Sequence, residues 1–147
     1  MTAAPAGEDR GGVLVDTNVL VYAAGDGELA ERCRSILAAI AAGELEGRCS
    51  TAILEEVWHL ELSGRLPGLE GHTALAHEAL SPLLPITDEV FAAALELDAT
   101  GLGANDRIHV ATCTANGLAA IVSADRGFDS VAGLRRIDPL GDELRGA

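Results

Sequence analysis

Two short apolar runs, each followed closely by an aspartate, constrain the fold of this chain more than any other feature. Val13–Val15 ends at Asp16, and a second run over residues 119–122 is followed by Asp125. Short runs that are apolar at every position are typical of strands buried in a parallel sheet. Because the carboxyl ends of parallel strands share one edge, we expect Asp16 and Asp125 to be neighbours in space. The alternative is that each aspartate only caps the turn or helix that follows it.

Helical patterns separate the two apolar runs, and two of them are predicted to stop at Gly64 and Gly117. The spacing of apolar residues predicts helices over residues 19–24, 28–42, 51–63, 71–80, 88–100 and 105–116. Further short strands are predicted over residues 47–50, 83–87 and 135–137. Strands that alternate with helices across short connections indicate a parallel sheet covered on both faces. The sequence therefore predicts one α/β domain over residues 13–140, preceded by a flexible tail over residues 1–12.

The charge balance limits the classes of function. Ten basic residues, all of them arginine, stand against 23 acidic ones, which gives a net charge of -13. This excludes a protein that binds phosphates through a broad basic surface. It does not exclude a nuclease, because clustered carboxylates that hold divalent cations also make a chain acidic. The absence of lysine excludes a Walker-type phosphate loop and Schiff-base chemistry.

Cysteine usage and hydropathy indicate the compartment. Cys33, Cys49 and Cys113 are odd in number and far apart, which fits neither a disulfide framework nor a zinc ribbon. The first twelve residues lack the apolar segment of a signal peptide, and no stretch has the composition of a membrane span. We therefore expect a cytoplasmic protein that does not enter the membrane.

Further carboxylates lie on two predicted helices. Glu55, Glu56 and Glu61 each border or enter the apolar side of the helix over residues 51–63, so periodicity does not choose among them. Asp106 opens the helix over residues 105–116 on a side that faces protein. The ordinary alternatives are solvated charges for the glutamates and a favourable interaction with the helix dipole for Asp106.

Four segments together resemble the PIN-domain nucleases, and most of all the small toxin subunits of VapBC-type toxin–antitoxin pairs. They are Val15-Asp-Thr-Asn-Val-Leu, Ser50-Thr-Ala-Ile-Leu-Glu-Glu-Val, Asn105-Asp-Arg-Ile-His-Val-Ala-Thr and Val122-Ser-Ala-Asp-Arg-Gly-Phe-Asp. No single segment is specific, but the four follow the order and spacing of the family over nearly the whole chain. The resemblance implies a three-layer α/β/α PIN-like domain with a short, mainly parallel central sheet.

The resemblance also implies a set of site residues. It selects Glu56 over Glu55, and it assigns an acidic quartet. The quartet consists of Asp16, Glu56, Asp106 and Asp125. Asp129 is a candidate fifth member, and Asn18 and Ser123 resemble the polar residues that support the first and last aspartates. The departures from the family pattern are the additional carboxylate of Glu55 and an arginine, Arg107, where a small residue is common.

Converging carboxylates require either raised pKa values or a bound cation. Oxygen ligands alone favour Mg²⁺ or Mn²⁺, which can supply an acidified water for attack on a phosphodiester. The resemblance implies an endoribonuclease, with Asp16 and Asp106 as the main metal ligands. Glu56 would bind metal or orient the water, and Asp125 would bind a second ion or position the first. No histidine is required, and we expect His59 and His109 to be ordinary, partly buried residues.

The resemblance suggests partners as well: an RNA substrate, a cognate antitoxin and a second copy of the chain in a homodimer. Four arginines in the last third of the chain are candidates for phosphate contacts, with solvated surface charges as the equal alternative. They are Arg107, Arg126, Arg135 and Arg136. The alternative function is a catalytically degenerate PIN-fold subunit that only binds, although all four expected acids are present. A phosphoryl-transfer domain of the receiver type is disfavoured because it needs a lysine near the phosphoryl group.

Overall fold

The apolar runs form the centre of the sheet in the computed structural model, which describes residues 12–144. Strand β1 (Val13–Val15) pairs in parallel with β3 (Ala120–Val122), with Val13 opposite Ala120 and Val15 opposite Val122. Strand β2 (Gly47–Arg48) lies on the other side of β1, and β4 (Arg135–Ile137) lies beside β3. The four strands are all parallel, in the order β2-β1-β3-β4.

Six α-helices and one 3-10 helix connect these strands within the described residues. The α-helices are α1 (Thr17–Tyr22), α2 (Glu28–Ala41), α3 (Thr51–Ser63), α4 (His72–Leu80), α5 (Asp88–Glu96) and α6 (Ala104–Ala115). The 3-10 helix spans Arg126–Ser130. Every residue of β1 and β3 is buried. Because successive side chains of a strand point to opposite faces, both faces of the sheet are covered. The predicted three-layer α/β/α architecture is therefore confirmed.

Local sequence explains where several helices begin and end. The hydroxyl of Ser50 accepts a hydrogen bond from the backbone N–H of Ile53 (3.1 Å), and Thr87 accepts one from Val90 (3.2 Å). These are the N-cap contacts of α3 and α5. Gly64 and Gly117 end α3 and α6 with a φ of 66° each, a left-handed conformation that glycine adopts without steric cost. The predicted stops of both helices are confirmed.

Three predicted elements are shorter than the sequence indicated, and the first is the strand over residues 47–50, which ends at Arg48. The strand over residues 83–87 is reduced to a single parallel bridge between Leu84 and Ser50. Its partner turns into helix α3 at Thr51, so no further strand residues are available for pairing. Helix α5 ends at Glu96 rather than at residue 100. The carbonyl groups of Leu97 and Ala99 beyond it accept hydrogen bonds from the Arg107 side chain instead of from helical N–H groups.

The predicted tail over residues 1–12 lies outside the described residues, apart from Gly12. Among residues 12–144, no helix is both long enough and apolar enough to cross a membrane.

Candidate active site

Asp16 lies at the carboxyl end of β1, where it caps helix α1. The residue is only 5% exposed, and both carboxylate oxygens are hydrogen-bonded. Oδ1 accepts from the backbone N–H of Thr17 (2.8 Å), and Oδ2 accepts from the Ser123 hydroxyl (2.7 Å) and the Asn18 amide (3.1 Å). Burial raises the pKa of Asp16, and the bond from Ser123 only partly offsets this rise.

Ser123 and Asn18 connect the ends of the two central strands. While the Ser123 hydroxyl donates to Asp16, it accepts from the Asn18 amide (3.1 Å) and from the backbone N–H of Asp125 (3.0 Å). The Asn18 side-chain oxygen accepts from the backbone N–H of Ala124 (3.2 Å). The structure thus gives both residues contacts that hold the Asp16 and Asp125 segments together. Their predicted position beside the first and last aspartates agrees with this network.

Glu56 is positioned by helix α3 and is distinguished from its neighbours by its contacts. Oε2 accepts a hydrogen bond from the Thr17 hydroxyl (2.7 Å), and Oε1 lies 3.2 Å from Nε2 of His109. Burial alone would raise the pKa of Glu56, but the contacts with His109 and Thr17 outweigh it and lower the pKa. Glu55, in contrast, is exposed. Glu61 accepts hydrogen bonds from the backbone N–H groups at the start of α4, at Gly71 and Thr73.

Asp106 and Asp125 complete the acidic group. Asp106 lies in the first turn of α6, and Asp125 caps the 3-10 helix by accepting from the backbone N–H of Gly127 (2.8 Å). Partial burial raises the pKa of Asp106, and the negative charges of Asp16 and Asp125 raise it further. All four predicted acids line one cleft of about 280 Å³. Asp16 and Asp125 are therefore neighbours in space, as the sequence predicts.

Asp129, the candidate fifth acid, is engaged elsewhere. Its carboxylate forms a two-pronged ion pair with Arg136, with Nε at 2.8 Å and Nη2 at 3.3 Å. Arg136 also donates to the backbone carbonyl of Ser123 (3.0 Å). The hydrogen bond from Arg136 lowers the pKa of Asp129. Asp129 is not among the residues that line the acidic cleft, because its carboxylate pairs with Arg136 instead.

The arginines predicted to contact RNA have different surroundings. Arg107 donates to three backbone carbonyls, of Leu97 (2.8 Å), Ala99 (2.8 Å) and Leu102 (2.9 Å). These bonds give it a structural role in the connection between α5 and α6. Arg126 is exposed, immediately after Asp125. A contact between RNA and either arginine stays a prediction.

His109 is the site residue that sequence reasoning missed. It was expected to be an ordinary, partly buried residue, but its side chain is 1% exposed and contacts two of the acids. Its Nε2 lies 3.2 Å from Oε1 of Glu56 and 3.9 Å from Oδ1 of Asp16. Burial would lower the pKa of His109, but Glu56 and Asp16 outweigh burial and raise it. The available signal was its spacing, since residues three apart share a face of a helix and His109 follows Asp106 by three.

The donor set of the cleft suits a hard divalent cation. All the acidic groups of the cleft offer carboxylate oxygens, and the buried Oε1 of Glu56 has, among residues 12–144, only a poorly aligned contact with Nε2 of His109. Between residues 12 and 144, no group of three or more His, Cys, Asp or Glu side chains is arranged so that it could bind one metal ion directly. This is compatible with Mg²⁺, which usually keeps several waters and binds through one or two carboxylates. The cleft therefore fits a hydrated ion rather than a fully enclosed one.

Comparison with known proteins agrees with this geometry. A family model for the PIN domain matches residues 13–134. The chain belongs to the PIN domain family. The resemblance drawn from the four sequence segments is thereby confirmed, and the acidic cleft lies within the part of this PIN domain that the family model covers.

A solved structure shows the same fold. It is the Mycobacterium tuberculosis toxin VapC20, described as cleaving the sarcin-ricin loop, and it is 17% identical in sequence with a TM-score of 0.59. The match covers 84% of this chain and 98% of the VapC20 chain. No curated protein sequence matches the chain.

Proposed function

We propose that this PIN domain is an endoribonuclease that depends on Mg²⁺ or Mn²⁺. The observation that carries the proposal is that Asp16, Glu56, Asp106 and Asp125 line one cleft at the carboxyl edge of the sheet. Partial burial raises the pKa of Asp106, and the negative charges of Asp16 and Asp125 raise it further, so a cation bound between these carboxylates would relieve their repulsion. Groups with strongly perturbed pKa values in a cleft are candidates for a catalytic site.

In this proposal, each acid has a separate task. Asp16 and Asp106 would hold the cation, and Asp125, at the exposed side of the cleft, would bind a second ion or position the first. A divalent cation in this position makes a bound water more acidic and offsets the charge that develops on the phosphate during hydrolysis. Glu56 accepts a proton from the attacking water or orients it, since its lowered pKa keeps the carboxylate ionised. As the water oxygen forms a bond to phosphorus, the bond from phosphorus to the leaving oxygen breaks, and the leaving oxygen takes up a proton from solvent.

The approach of RNA to an acidic protein requires local compensation of charge. The overall charge of -13 repels a polyanion, but a bound divalent cation offsets part of the charge at the cleft itself. Arg126 is exposed directly beside Asp125 and is available to contact a phosphate. We assign Arg107 a weaker part, because its guanidinium already bonds three carbonyls.

We further propose that the protein is the toxin of a type II toxin–antitoxin pair that acts in the cytoplasm. The support is the shared fold with VapC20, which is itself described as a toxin that cleaves the sarcin-ricin loop. A cognate antitoxin and a homodimer belong to the same proposal. A small reading frame next to this gene would support the pairing.

The direct test is cleavage of total RNA by the purified protein in Mg²⁺, in Mn²⁺ and in excess EDTA. Cleavage is expected with either cation and not in EDTA, and Asp106→Asn is expected to cleave poorly under all conditions. Cleavage that is undiminished in EDTA would contradict the mechanism. Binding of RNA without cleavage in either cation would identify the alternative, a degenerate PIN-fold binding subunit.

A further inference from the structure

His109 is a buried polar group that the proposed chemistry does not require. Its imidazole is 1% exposed on α6, three residues after Asp106. A buried imidazole without polar partners is costly, and its Nδ1 has no hydrogen-bond partner among residues 12–144. The polar contacts of the ring are therefore concentrated at Nε2, which faces Glu56 and Asp16.

The Glu56 carboxylate is contacted at both of its oxygens. The Thr17 hydroxyl donates to Oε2 at 2.7 Å, and Nε2 of His109 lies 3.2 Å from Oε1. The two contacts come from different parts of the fold, because Thr17 opens α1 and His109 lies in the middle of α6. A glutamate side chain has three rotatable bonds, and one contact at each carboxylate oxygen restricts the plane of the carboxylate.

Thr17 and His109 also connect Glu56 to the other acids. Thr17 follows Asp16 directly and donates its backbone N–H to Oδ1 of Asp16. His109 lies 3.9 Å from that same oxygen and one turn from Asp106. The helices that supply Glu56 and Asp106 are thus joined at the cleft through one buried ring. Groups that orient the ligands of a metal site commonly change activity or metal affinity when they are replaced.

We propose that His109 is a positioning residue whose Nε2–H holds the Glu56 carboxylate, together with Thr17, in its working orientation. The inference rests on the proposed ribonuclease function for its activity test but not for its spectroscopic test. It requires that the proton of the ring reside on Nε2, because only a protonated nitrogen can donate to a carboxylate. A ring that serves only to fill the core would impose no such requirement.

The activity test compares two substitutions of similar volume. His109→Gln keeps an N–H donor that can reach Oε1, whereas His109→Leu removes the donor. We expect kcat for RNA cleavage to fall about 10–100-fold in His109→Leu with little change in KM, and to recover largely in His109→Gln. The exposed His77 provides the matched control, and His77→Leu should cleave like the parent.

The outcomes separate this inference from the proposed function. If the parent cleaves RNA and folded His109→Leu cleaves equally well, the positioning role is overturned. It is also overturned if His109→Gln is as impaired as His109→Leu while both fold. If His109→Leu does not fold, Thr17→Val removes the other hydrogen bond to the Glu56 carboxylate, which the Thr17 hydroxyl donates to Oε2. A parent-like kcat for Thr17→Val would contradict the inference.

A second measurement does not depend on activity. Long-range ¹H–¹⁵N NMR of the histidine rings in the metal-free protein distinguishes protonated from unprotonated nitrogens. We expect Nε2 of His109 to carry a proton. A spectrum in which Nδ1 alone is protonated would overturn the inference even if the protein is an active ribonuclease. If the parent cleaves no RNA, the proposed function fails, and this spectrum still decides whether His109 holds Glu56.

Discussion

Glu56 differs from Glu55 and Glu61 chiefly in what its side chain contacts. Helical periodicity placed all three beside the apolar side of α3, because it specifies a direction around the helix and not the groups met there. The structure separates them: Glu55 is exposed, Glu61 bonds the start of α4, and Glu56 contacts Thr17 and His109. The selection of Glu56 from sequence depended on the family resemblance. No pattern within one helix could have supplied it.

The two adjacent glutamates give a matched test of the site. We predict that Glu56→Gln reduces RNA cleavage by about 10²-fold or more, because it removes the charge that orients or activates the attacking water. Glu55→Gln should retain most of the activity, since its side chain is exposed outside the cleft. Initial rates in Mg²⁺ on one RNA substrate measure both. Equal losses, or a greater loss at Glu55, would show that the wrong carboxylate has been assigned.

Asp125 and Asp129 offer a second pair, four residues apart. We predict that Asp125→Asn lowers cleavage, whereas Asp129→Asn leaves cleavage largely intact but lowers the melting temperature by releasing Arg136. The pKa of Asp129 is lowered in the folded protein, so its stabilising effect is present above pH 3.8 and is lost as pH falls through the lowered value. The difference in melting temperature from the parent should therefore shrink at acidic pH. If Asp129→Asn abolishes cleavage in a folded protein, Asp129 belongs to the acidic site.

At the scale of elements, the sequence predicted what depends on local chemistry and missed what depends on distant partners. The buried strands β1 and β3 and the glycine stops of α3 and α6 were predicted from their own residues. The strand over residues 83–87 was not a strand, because its potential partner becomes helix α3 at Thr51. Helix α5 ended early because an arginine on α6 binds the carbonyls beyond it. Neither the loss of the strand over residues 83–87 nor the early end of α5 can be predicted from the residues of that element alone.

The C-terminal end of α6 provides a test at this scale. Gly117 has a φ of 66°, and a Cβ added there would meet no atom of residues 12–144 within 4 Å, so a methyl group would meet a backbone penalty rather than a clash. We predict that Gly117→Ala lowers the free energy of unfolding by about 1–2 kcal/mol, the cost of a left-handed conformation for an L-residue. Urea denaturation of the metal-free protein measures this change.

Gly25→Ala is the control for that measurement. Gly25 has no left-handed φ, and its added Cβ would lie at an ordinary 3.4 Å from the Tyr22 carbonyl. Its free energy of unfolding should change by less than about 0.5 kcal/mol. Equal effects of the two substitutions would mean that the conformation of Gly117 does not determine the end of α6.

At the scale of the whole molecule, part of the excess negative charge is concentrated at the acidic cleft. The net charge of -13 is carried by 23 acidic residues, and four of them line one cleft of about 280 Å³. Partial burial and the neighbouring carboxylates raise the pKa of Asp106, so this carboxyl group ionises less readily in the metal-free cleft than in water. A cation that binds only the folded state stabilises that state by mass action. A bound cation would therefore link the charge of this cleft to the stability of the folded protein and to the proposed RNA cleavage.

Thermal melting of the parent and of Asp106→Asn, each in EDTA and in excess Mg²⁺, tests this link most directly. In EDTA, Asp106→Asn should melt no lower than the parent, because the amide removes repulsion without changing the volume of the side chain. Mg²⁺ should raise the melting temperature of the parent and raise that of the variant much less. A helix-terminus charge would behave differently: its loss would cost a fraction of a kcal/mol, and Mg²⁺ would not affect either protein. A variant that melts lower than the parent in EDTA, together with a parent indifferent to Mg²⁺, would contradict a cation site at Asp106.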